Sequence, residues 1–285
     1  MKAKKIIVLL LAFTFICGFF NVDAYAAPSA TGVVQGTTLE AEVWVKQTRQ
    51  LTIFYNYKAV SGKNVKWKVT EGSKFVKVSK TGAITGKKAG KAVVKATYSG
   101  NTFTFNITVT KAPKTKAKTY KINGASIKIP KGYVRNTDLE EAGGSPEMTR
   151  AFNYVKDDTV LSVAADTLPN GIDVSKLSKD QIKELRSALI PYIKTVCEQQ
   201  ISNAKIQLNA AGYVVEKSGV EYEKELDLGY KALYSVNTSS GESLYLYVYF
   251  VLVKDKFITF TLESDSNKRI ESLADAVIDK NGYEK

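Results

Sequence analysis

Four groups of residues have types and spacings that could do chemistry: a concentration of lysines, a row of tyrosines, scattered carboxylates and a lone cysteine. The 285-residue chain has no histidine. This excludes His-based triads, His general bases and the commonest metal ligand. Of the two cysteines, Cys17 lies in the N-terminal apolar segment, so Cys197 stands alone and no intrachain disulfide is expected. Cys197 sits at the apolar edge of a helical stripe with nothing nearby in sequence to depress its pKa, and it reads as a buried structural thiol. Asp157-Asp158, Asp166 and the Glu221, Glu223, Glu225 alternation are the carboxylates that a glycosidase pair would need. The plainer reading is a turn beside Lys156 and a solvated strand face. With no activated nucleophile, phosphate loop or metal cluster, the sequence gives no catalytic residue, metal or cofactor to expect.

The lysines are unevenly placed. Net charge is +13 over the chain, yet residues 27–118 hold 16 Lys and Arg49 against Glu40, Glu42 and Glu71, a net +14, while residues 119–285 come to −3. In Val65-Lys66-Trp67-Lys68-Val69 strand parity sends the apolar side chains to one face and the lysines to the other, and Val76 and Val78 likewise flank Lys77. Lys80, Lys87, Lys88 and Lys91 fall in expected turns. Lysines that blunt sheet edges explain some of these. They do not explain the scarcity of acids, since a solvated surface ordinarily mixes both signs. A field of one sign recruits partners of the other: an anionic cell-wall polymer, an acidic glycan or anionic lipid heads.

The elements that position these lysines are short alternating strands punctuated by Gly82, Gly86, Gly90 and Gly100, the pattern of a small antiparallel sandwich. Residues 37–110 resemble the bacterial immunoglobulin-like domain, group 2, through Trp67 in its strand, Val78-Ser79-Lys80-Thr81-Gly82, Ile84-Thr85-Gly86, Ala89-Gly90-Lys91-Ala92 and the closing strand Phe105 to Val109. The resemblance implies an all-β Ig-like sandwich over 27–110, adhesive or spacing in role, with no catalytic residues to carry over.

Ahead of it, Lys2, Lys4 and Lys5 precede an apolar run from Ile6 to Phe20 and the small-residue site Ala24-Tyr25-Ala26. The run has 15 residues, against roughly 20 for a membrane-crossing helix. Residues 1–26 therefore read as a cleaved signal peptide, with no transmembrane span in the remainder. The expected location is extracellular, secreted or held non-covalently to the envelope, a context that argues against nucleic acid. Residues 111–119, rich in lysine with Pro113, read as an extended linker.

Residues 120–285 read as an α+β domain. Tyr120 to Pro130 opens with a strand pair, and Ser178-Lys179-Asp180-Gln181 is a capping box. Ile182, Leu185, Leu189, Ile193 and Val196 then form a helical stripe that Pro191 should kink or split. A hairpin around Lys254-Asp255-Lys256 is expected to pair Val253 with Phe257, putting Tyr249 beside Thr261 and Tyr247 beside Glu263. A closing helix presents Ile270, Leu273, Ala274, Val277 and Ile278. The order of elements, with Ile129-Pro130-Lys131-Gly132-Tyr133 after the opening strand, resembles PsbP-like domains, which implies binding or assembly. Tyr245, Tyr247 and Tyr249 share a strand face that either docks a ligand or partner such as a surface protein, or is covered by a helix. The segment from Asn136 to Arg150 reads as an exposed loop, a lid or plain surface. The sequence thus points to a secreted binding protein. An extracellular hydrolase with a spacer and a purely structural spacer stand as alternatives.

Overall fold

The computed structural model describes residues 32–34, 38–142, 147–168 and 171–283. The expected signal peptide lies outside them, as do 143–146 of the expected loop. The chain is β-rich with a few helices.

The first half is built of strands, with a 3-10 turn at Gly62–Asn64. A four-stranded sheet has the order β2 (Thr38–Trp44), β10 (Asn101–Thr110), β9 (Gly90–Tyr98), β6 (Lys66–Glu71). Two three-stranded sheets complete it: β1 (Gly32–Val34), β4 (Thr52–Tyr55) and β5 (Lys58–Val60), and β3 (Thr48–Gln50), β8 (Ala83–Gly86) and β7 (Val76–Val78). Alternation drives the burial. Ala92, Val94 and Ala96 of β9 and Phe103, Phe105, Ile107 and Val109 of β10 point into one core with Val43, Ile53 and Ile84, leaving the intervening residues outside. The result is sandwich-like. Trp67 packs on Phe105 at 5.9 Å between ring centroids and donates its Nε1 hydrogen to the Gly62 carbonyl at 3.0 Å. Gly82, at φ 91°, is required twice over, by the turn and because a Cβ there would stand 2.5 Å from the Trp67 ring.

Residues 111–117 carry no regular secondary structure, but the halves are joined by more than this segment. The Thr48 amide donates to the Lys156 carbonyl at 2.8 Å and the Ala59 amide to the Gly212 carbonyl at 2.9 Å. The Phe54 side chain, from within β4, meets Tyr213 edge-on at 5.4 Å and joins the core of the second half.

The second half is built on a seven-stranded, wholly antiparallel sheet. Its order is β13 (Tyr133–Arg135), β14 (Thr149–Tyr154), β15 (Val160–Thr167), β19 (Lys256–Ser264), β18 (Ser243–Val253), β17 (Gly229–Thr238), β16 (Val215–Leu226). The hairpin β11 (Lys118–Ile122) and β12 (Ala125–Ile129) precedes it, and α1 (Thr137–Ala142) follows β13. Helix α2 (Lys179–Ala210) starts at Ser178, where the capping box forms in both directions. Its Leu185, Leu189, Ile193 and Cys197 are buried against Leu246, Val248, Phe250 and Leu252 of β18. The opposite face is covered by α3 (Asn267–Asn281), whose Ile270, Leu273, Ala274, Val277 and Ile278 pack with the β11–β12 hairpin over Tyr247, Tyr249 and Val251. Gly282 ends α3 in the left-handed conformation, φ 73°.

Three expectations need correction. Of the two outcomes expected at Pro191, a kink or a split, the split does not occur: Pro191 sits inside one 32-residue helix. The stripe before and after it anchors to the same sheet, which outweighs the roughly 3 kcal/mol that an interior proline costs. The late hairpin has a two-residue turn, not three. Val253 pairs with Lys256, Tyr249 with Phe260 and Tyr247 with Leu262, because Lys254 adopts the positive φ, 54°, that a two-residue hairpin turn asks of its first position. The start of the expected loop is held in place. Glu140, 1% exposed, accepts a two-pronged bond from Arg135 and another from the Ala151 amide at 3.1 Å.

Candidate functional site

The lysines occupy two regions of the first half. On the outer face of the four-stranded sheet, β6 lies at the edge and pairs with β9 so that Lys66 faces Thr97 and Lys68 faces Lys95 directly. Paired positions put their Cβ atoms about 5 Å apart. Lys91 shares this face four residues from Lys95, about 13 Å along the strand, and Lys66 lies about 7 Å from Lys68. Lys91 therefore belongs to strand β9 and not to a turn, since β9 begins at Gly90. Thr104 and Thr108 of β10 stand beside Lys95 and Lys91. These four exposed lysines form a cationic strip two strands wide.

The other four expected residues are not part of the strip. Lys77 lies on β7 of a smaller sheet, Lys80 in the turn after it, and Lys87 and Lys88 in the turn before β9. All four are exposed. Both Lys87 and Lys88 donate their amides to the Phe75 carbonyl, and Lys87 Nζ reaches the Ser73 carbonyl at 3.0 Å. Lys95 was missed by the sequence reading, although Val94-Lys95-Ala96 carries the same parity signal as Lys66 and Lys68.

Among the described residues, none of these eight lysines has an ion-pair partner. The basic group that does cross to the second half is Arg49, 3.1 Å from Asp158. Glu40 and Glu42 lie on β2 at the far edge of the same sheet, where Glu40 accepts from Asn106 at 2.7 Å. Two strand spacings, about 10 Å, separate them from β9, roughly one Debye length in physiological salt. Glu71 of β6 is closer, paired with Val93 between Lys91 and Lys95 on this face and so about 7–8 Å from each as a diagonal neighbour; with four lysines to one glutamate the strip is net positive, not free of acids.

The tyrosine row is not an open face. Tyr247 and Tyr249 are each 1% exposed beneath α3, and Tyr245 is half-buried. Tyr249 packs on Phe260 at 6.2 Å and donates its hydroxyl hydrogen to the Tyr283 carbonyl at 3.0 Å. Tyr247 meets Tyr222 edge-on at 6.4 Å. A helix covers this face, and the register correction gives the reason: the row stands beside Leu262 and Phe260, within a core.

The carboxylates are engaged by structural partners. Asp157 is buried, with Arg269 at 3.0 Å and the Thr159 amide at 2.8 Å. Glu221 accepts from Ser235, and Glu225 pairs with Arg186 at 3.3 Å. Glu223 accepts from Lys194 and from Tyr230, each at 2.8 Å, and these bonds hold its pKa below the usual value. Burial pushes Asp166 up to about 6, opposed by Lys256, and pushes half-buried Glu263 up to about 8. These two do not form a pair. Asp166 is opposite Phe257 on β19, six residues from Glu263, which is about 20 Å along a strand. Glycosidase carboxylates stand roughly 5–10 Å apart.

Glu263 sets a pH dependence for stability. Its folded pKa is raised from 4.5 to about 8, so the folded state holds the proton more tightly. Its contribution is complete below the unfolded pKa and is lost as pH rises toward the folded one. Urea midpoints should decline between about pH 5 and 8, and Glu263→Gln should flatten that decline. An identical slope in the variant would assign it to other groups.

No helix among the described residues is long and apolar enough to cross a membrane. No family model and no curated protein sequence matches the chain. Solved structures to which it is similar include the Ran-binding protein Mog1p of Saccharomyces cerevisiae, at 11% identity and TM-score 0.32, covering 57% of this chain and 84% of that one. Another is the cyanobacterial PsbP of Synechocystis, at 15% and 0.27, covering 57% and 90%. A third is a SusE-like surface located polysaccharide binding protein of Bacteroides thetaiotaomicron, at 13% and 0.19, covering 45% and 30%. At these TM-scores none of the three carries an argument for fold or function.

Proposed function

We propose that this chain is an extracellular binding protein whose sandwich-like first half attaches to anionic surface polymers, acidic glycans or polyol phosphates, while the second half serves as a scaffold for a ligand or partner. The observation that carries the reading is Lys68 directly opposite Lys95, in a strip where four lysines stand against one carboxylate, Glu71, paired with Val93. Like charges facing each other across a strand pair cost roughly 0.2–1 kcal/mol. A sheet edge that needs only solubility would be served as well by mixed signs. A polyanion lying along the strip relieves the repulsion, so the cost is recovered on binding.

A hydrolase reading finds less support, since each candidate carboxylate is engaged structurally or isolated. The test compares retention of residues 27–285 on an immobilised acidic glycan or glycerol-phosphate polymer with retention on neutral dextran. Retention on the anionic supports alone is expected. Equal behaviour on all supports would favour the spacer reading, and release of cleaved fragments the hydrolase.

A further inference from the structure

The β4–β5 hairpin carries an aromatic ring where its turn is least suited to one. Tyr55 pairs with Lys58, which leaves Asn56 and Tyr57 as a two-residue turn, and both hold positive φ, 51° and 60°. That is the pattern of a type I′ turn, whose second position favours glycine because a side chain there crowds the backbone. Asn56 tolerates it through its short polar side chain. A bulky tyrosine at φ 60° has no such compensation. Packing supplies little: Tyr57 is 83% exposed, more than any other large hydrophobic residue described.

The tip is nonetheless firmly placed. The Ala59 amide donates to the Gly212 carbonyl at 2.9 Å, and a Cβ on Gly212 would come within 2.4 Å of the Tyr57 carbonyl oxygen. The second half thus seats the backbone of the turn and leaves the ring outside. A tyrosine so held offers rigid amphipathic area and has only two side-chain torsions to order. Its place relates it to the lysines. Tyr55 meets Tyr98 edge-on at 5.6 Å, bridging the sheets at the end of the sandwich core. Tyr98 follows Thr97, the residue opposite Lys66. The hairpin tip therefore lies toward the Lys66 end of the cationic strip, across a sheet spacing of about 10 Å. Lys58, exposed, adds a cation there.

We infer that Tyr57 stacks on a sugar ring, so that the polymer met by the strip is an acidic glycan; this rests on the anionic-polymer reading above. A pyranose presents a face of C–H groups on which an aromatic ring can lie, while its hydroxyls stay in water. Lysines read only the anionic groups, which acidic glycans and polyol phosphates share. A polyol phosphate has no ring to lay on Tyr57. Backbone strain that the fold does not need is a mark of a residue kept for binding.

Affinities of residues 27–285 for polygalacturonate and for a glycerol-phosphate polymer, measured across a salt series, test this. The parent is expected to bind both through the lysines. Tyr57→Gly should weaken polygalacturonate binding by about three- to tenfold, the range of one aromatic contact, and leave the glycerol-phosphate polymer unchanged. Tyr57→Phe, which keeps the ring, should bind both as the parent does. Stacking displaces no counterion, so the loss should shift the salt plot of Tyr57→Gly without altering its slope. Tyr57→Gly should also melt no lower than the parent, since glycine is the residue the turn favours. Undiminished polygalacturonate binding by Tyr57→Gly, or an equal loss on both polymers, would overturn the assignment and leave the strip intact. A lower melting temperature would give the ring to the fold and overturn it likewise. A parent that binds neither polymer would instead remove the reading beneath it, and the assignment with it.

Discussion

Replacing Lys66, Lys68 and Lys95 together by glutamate is expected to lower affinity for an anionic polymer by two orders of magnitude or more at low salt. A lysine near an anionic surface contributes about 1 kcal/mol, so three lost contacts amount to a factor of roughly 100, and the new acids add repulsion. In the triple variant positions 68 and 95 again carry like charges, so the stability argument concerns the single variant. Lys68→Glu alone converts a like-charge cross-strand pair into an opposite-charge pair with Lys95, which favours the fold by about 0.2–1 kcal/mol. A variant that melts higher and binds worse cannot be explained by unfolding. If the triple variant binds as the parent does, the lysines serve solubility alone.

Tyr249→Ala is expected to cost about 3–5 kcal/mol, the range for truncating a large aromatic in a core, with the hydrogen bond to Tyr283 lost as well. Tyr245→Ala, four residues away on the same face but half-buried, should cost far less. Urea denaturation of the two variants measures this directly. A loss within about 0.5 kcal/mol at Tyr249, the figure for surface substitutions, would restore the open-face reading and displace α3 from its place over the row.

Local signals were legible wherever a side-chain period or a cap decided the structure. The parity of Val65 to Val69, the Ser178–Gln181 box and the five apolar residues of α3 all appear as read. What failed was set by tertiary context. The turn at Lys254-Asp255 lacks the glycine or asparagine that announces a two-residue hairpin. A slip of one residue then moved Tyr247 and Tyr249 from beside core partners to beside Thr261 and Glu263. Pro191 was read by its local cost, while the packing of α2 on both sides of it decided the outcome. Whether α3 would cover the tyrosines lay beyond any pattern within β18.

The joining of the two halves had no sequence signal either. A Cβ on Gly212 would stand 2.4 Å from the Tyr57 carbonyl oxygen, so the bareness of this position admits the first half. Within the cationic strip, Lys66 and Lys68 followed from one strand, but Lys95 acquires its meaning only from the β6–β9 register.

Everything proposed for the first half depends on a net-cationic strip meeting a polyanion, and the salt dependence of that affinity tests it most directly. Each counterion displaced contributes roughly −0.7 to −0.9 to the slope of log affinity against log salt. With Lys66, Lys68, Lys91 and Lys95 engaged, binding of residues 27–285 to an acidic glycan or glycerol-phosphate polymer should therefore show a slope of about −3 or steeper. A flat dependence, or no measurable binding at low salt, would contradict the account.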